Sequence, residues 1–387
     1  EGEFTFRELI ENGSPENVNG LSYKTNGKIK HNPDRPFLKN LDDLKMPSRH
    51  LTQNYKYKIF HMNCDSIETS RGCPQACKFC STNVVYNRTW RCRSVENIIK
   101  ELEIISTNKN INDVFFVDDN FLVNMKRIGK LSFEIIKAKR EGRIKKNLFF
   151  FFQGRLDSMA KHPKIVKLMA EAGFWLVLVG VEAIDNKGLK IVEKGCKIDQ
   201  IKKGIEVLHQ NNITIMGNVI IGTNLNDSLD DIFTTIRKTR HLTLDLPSFT
   251  LLTPFPATGF YKEIKEKELL LTEEYSKFNW LTPVIKTPNF SPEVLKKLLF
   301  LGFYAIGYYG GDIRNKIDLY KKCFKSRGIF YVINPIRIYR GASAYIKWKK
   351  IVLENLKGIK KKKIKQIRGG NRNKIADLKN IIKNIMS

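Results

Sequence analysis

Three cysteines fall within eight positions of one another in the run Ser70-Arg71-Gly72-Cys73-Pro74-Gln75-Ala76-Cys77-Lys78-Phe79-Cys80, a C-x3-C-x2-C spacing. Three thiolates on one short loop can hold three irons of a four-iron cube and leave the fourth iron without a protein ligand, whereas four-cysteine electron carriers leave none open. An open iron can chelate a small molecule through neighbouring amino and carboxyl groups. The competing readings are a zinc knuckle and a ferredoxin-like carrier, and both want a fourth ligand nearby. None sits on the loop, and His61 and Cys64 lie upstream across a candidate strand. The total of seven cysteines is odd, with Cys64, Cys92, Cys196 and Cys323 far apart, which suits metal ligation in a reducing compartment better than a disulfide framework.

The elements that must position this loop read as alternating strands and helices. Short apolar runs rich in β-branched or aromatic residues occupy 66–70, 113–117, 148–153, 175–182, 214–221 and 248–253. Such runs mark parallel strands buried on both faces. Helical periods fill the gaps at 95–106, 125–141, 163–172, 198–210 and 228–241, with Ser94 as an N-cap and Pro163 at a first helical position. The fold class is therefore α/β, a partial (β/α)6 barrel over residues 66–267, open at six strands. Residues 1–65 are a lead-in rich in Gly, Pro, Asn and Asp, with extended pieces around a turn at Asn26-Gly27 and too little apolar material for a core of their own. Residues 268–387 form a helical C-terminal appendage starting a helix at Ser291-Pro292-Glu293, broken at Gly310-Gly311 and Asn334-Pro335, and ending in a basic tail.

The cysteine spacing, with the aromatic Phe79 before the last cysteine, resembles the radical S-adenosylmethionine (SAM) superfamily. A closer resemblance runs through 33–50, with Leu41-Asp42-Asp43-Leu44 and Met46-Pro47-Ser48-Arg49, then Thr69 to Pro74, Arg91-Cys92-Arg93-Ser94, Phe116-Val117-Asp118-Asp119-Asn120-Phe121, Gly180-Val181-Glu182 and Thr253-Pro254-Phe255-Pro256-Ala257-Thr258. These look like cobalamin-dependent radical SAM proteins, which include methyltransferases and the anaerobic porphyrin ring cyclase. The resemblance implies a [4Fe-4S] cluster on Cys73, Cys77 and Cys80 and reductive cleavage of SAM to a 5'-deoxyadenosyl radical. It further implies cobalamin-dependent methylation of an unactivated carbon, with an oxidative cyclase or another radical rearrangement as the alternative. Cobalamin itself is expected from a missing or separate module, because Glu1 to Phe6 resembles only the closing segment of that domain and no D-x-H-x-x-G motif occurs, so the chain reads as a fragment, a trimmed version or one half of a split protein.

The same resemblance assigns SAM-binding positions. Phe79 belongs to the cluster loop's own contact with the cofactor. Asp118 and Asp119 would receive the SAM amino group, Glu182 the ribose hydroxyls or methionyl part, Arg155 the carboxylate in a bidentate fork, and Gly222 the adenine by close backbone approach. The usual Gly-x-Pro-Gly-Glu after the fifth strand is replaced by Gly222-Thr223-Asn224-Leu225-Asn226-Asp227. Other features have plainer readings. Cys92 beside two arginines is either a reactive thiol or an inert one, and the 149–152 Phe run is a buried strand. Tyr304, Tyr308 and Tyr309 either line a substrate cavity or pack between helices.

A net charge of +29 invites a nucleic-acid reading, with an RNA-binding protein carrying a structural cluster as the hypothesis from another class. Lys, Asn and Ile are abundant almost everywhere, so the charge reads as a compositional bias and nucleic acid is an unlikely partner; only 347–374 is dense enough to count as a patch. The amphipathic basic stretch 348–363 could make a peripheral membrane contact or lie solvated. No run of about 18 uncharged apolar residues occurs and the amino end lacks a secretory pattern, so a cytoplasmic location is expected. The expected partners are a small-molecule or lipid substrate and a low-potential electron donor such as ferredoxin or flavodoxin.

Overall fold

Six parallel strands stand side by side in chain order, each joined to the next by a helical connection. The computed structural model describes residues 1–52, 55, 57–59, 62–306 and the single positions 321, 350 and 354. The strands are β4 (Met62–Ile67), β7 (Asp113–Phe116), β8 (Phe149–Gly154), β9 (Phe174–Glu182), β10 (Thr214–Ile221) and β11 (Leu246–Leu251). A two-residue strand β3 (Lys58–Ile59) pairs antiparallel with β4 and ends that edge, giving the order β11-β10-β9-β8-β7-β4-β3. The first parallel strand opens at Met62, upstream of the expected 66, and residues 70–71 belong to a separate hairpin. In Met62–Ile67 residues 62, 64 and 67 are buried and the other three are not, a half-buried strand instead of a continuous apolar run.

Two helices match their expected bounds to the residue: α6 (Pro163–Ala172), opened by its proline, and α8 (Ile198–Gln210). Ser94 caps α3 (Val95–Thr107) by accepting from the Asn97 amide at 3.1 Å. The helices α4 (Met125–Arg140) and α9 (Leu229–His241) complete the outer layer. Three short helices lie between the expected ones: α5 (Leu156–Lys161), α7 (Asn186–Ile191) and α10 (Gly259–Glu266).

Strand period 2 divides the sheet's side chains between two environments. Phe150 and Phe152 turn outward to Phe116, Phe121 and Phe174, with centroid distances of 5.1 to 5.6 Å, and join the main core beneath the helices. Phe151 turns inward and stacks on Phe115 at 4.7 Å. The Phe run is thus a buried strand, as its sequence predicts.

The lead-in carries helix α1 (Gly2–Asn12) and a hairpin of β1 (Ser22–Thr25) and β2 (Lys28–His31). It is tied to the barrel by charge: Glu1 pairs with Arg91, Glu3 with Arg71, and Arg49 with Asp65 and Glu101. Asp42 accepts from the Ser94 amide at 3.0 Å. At the far edge, α11 (Pro292–Ile306) packs on β11 through an edge-on contact between Phe249 and Phe303 at 5.8 Å. The breaks at Gly310-Gly311 and Asn334-Pro335, Tyr308, Tyr309, Cys323 and all of the basic tail but positions 350 and 354 lie outside the described residues, as does the Tyr304 side chain. Among the described residues no helix is long and apolar enough to cross a membrane.

Candidate active site

The three cysteines sit on the loop between β5 (Ser70–Arg71) and α2 (Thr82–Val85), at the carboxyl end of the first parallel strand. The hairpin of β5 with β6 (Arg91–Cys92) starts the loop, and Gly72 turns it at φ +84°. A Cβ on Gly72 would overlap the Thr89 carbonyl, so both the turn and the close approach demand glycine. Three consecutive side chains after β7 then hold the loop. Asp118 accepts from the Thr69 hydroxyl at 2.8 Å, the Thr69 amide at 3.3 Å and the Ser70 hydroxyl. Asp119 accepts from the Gly72 amide at 3.1 Å and the Thr82 hydroxyl at 3.0 Å. The Asn120 amide points to Cys73 Sγ at 3.6 Å. Asp118, 1% exposed, and Asp119 thus position the cysteine loop through their carboxylates. Burial pushes the Asp118 carboxyl up, against the pull of Ser70, Thr69 and the Arg127 charge.

Arg155, expected to fork a carboxylate of SAM, forks one of the protein's own: Nε and an Nη donate to Asp157 at 2.9 and 3.3 Å. It also donates to the Lys194 carbonyl at 2.8 Å and faces Cys77 Sγ at 3.9 Å. Burial draws the guanidinium down, but Asp157 outweighs it and the group sits above its ordinary value. Burial likewise raises the Cys77 thiol, with Lys194 and Arg155 pulling it back.

The donor set fits a cube. Cys77 is buried and Cys73 and Cys80 half-buried, and N–H groups of Asn120 and Arg155 face two of the three sulfurs, the kind of contact that tunes a cluster. Among the described residues no three His, Cys, Asp or Glu side chains gather about one point, which a mononuclear zinc site requires and one-thiolate-per-iron ligation does not.

Glu182 ends β9 at φ +64°, a left-handed conformation uncommon outside glycine. Its carboxylate accepts from Lys194 Nζ at 3.0 Å, both side chains being 9% exposed. Burial would depress the Lys194 ammonium, but Glu182 and Cys77 beside it hold it above its ordinary value. Lys194 is invisible to sequence reasoning because its partner lies twelve residues back and meets it only through that backbone turn. The missing Cβ of Gly180 makes room for the pair, since a methyl there would overlap the Glu182 carboxylate.

A cleft of about 340 Å³ opens on the inner face of β9, β10 and β11. Phe79 and Glu182 line it together; Asp118, Asp119, Arg155 and Gly222 do not. Its floor carries Gln153, Asn218, Ser248 and Thr250, and its rim Phe255 and Trp280, packed edge-on at 5.4 Å. The inward positions of β10 and β11 repeat every second residue, and Asn218 donates to Thr250 at 3.0 Å across them. A smaller cleft of about 170 Å³ lies on the other side of Phe79, beside Thr223 and Asn224. Gly222 adopts φ +74°, a backbone conformation that itself favours glycine, and the nearest protein atom a Cβ there would meet is on Leu295 at 4.0 Å.

This arrangement of fold and loop defines a class. Residues 67–236 match the sequence model of the Radical SAM superfamily. An uncharacterized methyltransferase of Pyrococcus horikoshii is 32% identical over 341 residues, 87% of this chain and 71% of that protein. The anaerobic magnesium-protoporphyrin IX monomethyl ester cyclase of Rubrivivax gelatinosus is 25% identical over 272 residues, 70% of this chain but 47% of the relative. Among solved structures, the cobalamin-dependent S-adenosylmethionine radical enzyme OxsB, with aqua-cobalamin and S-adenosylmethionine bound, superposes with a TM-score of 0.62 at 19% identity, covering 100% of this chain and 62% of that one. That likeness shows the fold, a curled partial barrel. The chain belongs to the radical SAM superfamily.

Proposed function

We propose that this chain cleaves SAM reductively to a 5'-deoxyadenosyl radical and uses it in methylating an unactivated carbon, with cobalamin presented by a module beside the barrel. The observation that carries the first part is the three-cysteine loop set at the mouth of a cleft that Phe79 and Glu182 line together. When bound to Cys73, Cys77 and Cys80, a reduced [4Fe-4S] cluster supplies the electron for cleavage. The chain's own residues then bind and orient. Glu182, fixed by Lys194 above Gly180, offers a carboxylate to hydroxyl or ammonium groups of SAM. Phe79 walls the cofactor from the smaller cleft, and the Gly222–Asp227 loop borders it. Asp118, Asp119 and Asn120 keep the cysteines in place.

Methyl transfer is supported by the 32% identity to the Pyrococcus horikoshii methyltransferase. The floor's neutral amides and hydroxyls with the aromatic rim suit an uncharged small molecule or lipid segment. The electron would come from a low-potential donor such as ferredoxin or flavodoxin. The test is anaerobic reconstitution with iron and sulfide, then SAM, titanium(III) citrate and hydroxocobalamin, which once reduced to cob(I)alamin can take the methyl of SAM, with 5'-deoxyadenosine and S-adenosylhomocysteine both quantified. The expectation is both products. Absence of deoxyadenosine from cluster-loaded protein would sink the reading, and deoxyadenosine without S-adenosylhomocysteine would favour the cyclase alternative that the Rubrivivax relative supports.

A further inference from the structure

The segment Thr253-Pro254-Phe255-Pro256-Ala257-Thr258-Gly259 folds into a tight turn after β11. The Phe255 amide donates to the Thr253 carbonyl at 3.1 Å, and the Thr258 amide and hydroxyl donate to the Phe255 carbonyl at 3.2 and 2.7 Å. Ala257 adopts φ +63°, and Thr258 caps α10 by accepting from the Tyr261 amide at 3.1 Å. The turn delivers the first turn of α10 against Lys78, the residue after the second cysteine. There the Phe260 amide donates to the Lys78 carbonyl at 3.2 Å, and Lys78 Nζ pairs with Glu263. The Lys78 amide in turn donates to the Val192 carbonyl, just past α7, at 3.3 Å. Every polar group of Lys78 is therefore engaged, and its ion-pair partner lies 185 residues downstream.

We propose that Glu263 is a positioning residue for the iron-sulfur cluster, clasping the Cys77–Cys80 span to α10 through Lys78. Glu263 also accepts from Lys267 Nζ at 2.6 Å, so one carboxylate balances two ammonium groups beside the cysteine loop. Removing its charge loosens the loop and leaves net positive charge near the cluster, which favours the reduced, more negative state. Removing the Lys78 charge has the opposite electrostatic sign. Phe79, next in sequence, separates the two clefts, so the clasp also fixes that wall. The proposal rests on the cluster being held by Cys73, Cys77 and Cys80.

The test uses the full chain, loaded anaerobically with iron and sulfide, as wild type, Glu263→Gln, Glu263→Asp, Lys78→Gln and Glu273→Gln. Glu273, beyond α10, pairs with Lys265 of that helix at 2.9 Å in an exposed position and is the control. Two quantities are read: iron release to a chelator and the cluster midpoint potential from a redox titration followed by electron paramagnetic resonance. Glu263→Gln should release iron roughly two- to fivefold faster, the factor expected for one partly exposed ion pair. It should also move the potential up, Lys78→Gln should move it down, Glu263→Asp should restore most of both readouts, and Glu273→Gln should match wild type. Faster release with unchanged potentials would reduce Glu263 to a fold-stabilising residue and overturn the proposal, as would a Glu263→Gln protein matching wild type in both. If Glu263→Gln is insoluble, the sign of the Lys78→Gln shift decides. Wild type that takes up no cluster would sink the underlying cysteine assignment and the clasp with it, whereas loaded wild type with indifferent variants would sink the clasp alone.

Discussion

Adding one methyl group at Gly180 should disable the cleft while leaving the barrel folded. Gly180 and Glu182 lie on the same face of β9, and a Cβ at 180 would overlap Glu182 Oε1 and stand 2.9 Å from Lys194 Nζ. The left-handed backbone of Glu182 fixes its Cα–Cβ direction and the buried Lys194 ammonium holds its carboxylate, so moving Glu182 alone breaks the pair. Splitting a buried pair costs about 3–5 kcal/mol, and overpacking that both members share costs about 1–3 kcal/mol. Joint displacement is the cheaper path, so Gly180→Ala should lose about 2–3 kcal/mol and melt roughly 3–5 °C lower. SAM affinity of cluster-loaded protein, measured by calorimetry, should fall at least about tenfold, the equivalent of about 1.4 kcal/mol. Gly217→Ala is the matched control. Its Cβ would press on the Leu244 side chain at 2.6 Å, within the outer core, and should lower the melting temperature without touching SAM affinity. A Gly180→Ala protein that melts lower yet binds SAM like wild type would refute the placing of SAM against Glu182. An unchanged melt would refute the premise that the pair is locked.

Three further outcomes are expected. Gly72→Ala must take up φ +84° and overlap the Thr89 carbonyl, so it should retain little iron after reconstitution, whereas Gly142→Ala, at φ +77° with nothing within 4 Å, should load like wild type; equal iron per chain in both would count against the tight loop. Asn120→Ala removes the N–H facing Cys73 Sγ and should make the cluster harder to reduce, seen as a more negative midpoint potential; no shift would show that this contact is idle. Burial brings the Lys139 ammonium from 10.5 down to about 8, so between those values the unfolded chain holds a proton that the folded chain has shed, and stability rises with pH across that window. Urea melts from pH 7.5 to 10.5 should show this contribution, roughly 2–3 kcal/mol at its full extent, in wild type relative to Lys139→Met, and parallel curves for the two would refute it. Cys64, pushed up to about 12 by burial and by Asp113, opposes the trend at high pH equally in both proteins and cancels from the comparison.

Most of the sheet was legible because each strand is a short apolar run between strong helical periods. Residues 214–221 match β10 at both ends, since eight mostly apolar residues between Asn211-Asn212 and Gly222 admit little else. The short helices α5, α7 and α10 escaped because six to eight residues give too few turns for a helical period to show. The cysteine loop was legible in the sequence, and the side-chain partners around it were not. Cysteine spacing is local and survives any fold, whereas the roles of Asp118 and Arg155 depend on which neighbour arrives first. Thr69 and Ser70 claim one, and Asp157, two residues along, claims the other. Asn218, Ser248 and Thr250 were hidden for a related reason: within apolar strands an isolated polar residue gives no sign of which face it takes, and only the strand register places all three over one floor.

The neighbour-to-neighbour order of the parallel strands has a consequence for assembly. Each βα unit can dock on the one made just before it, so the barrel can grow steadily from its amino end during synthesis. The cysteine hairpin is laid down with the first unit, but α10, which fastens it, is made only after the last strand has emerged. During that interval the loop is held by Asp118, Asp119 and Asn120 but lacks the clasp at Lys78, so the Cys77–Cys80 span stays more open to cluster-delivering machinery and equally to oxygen until α10 closes on it.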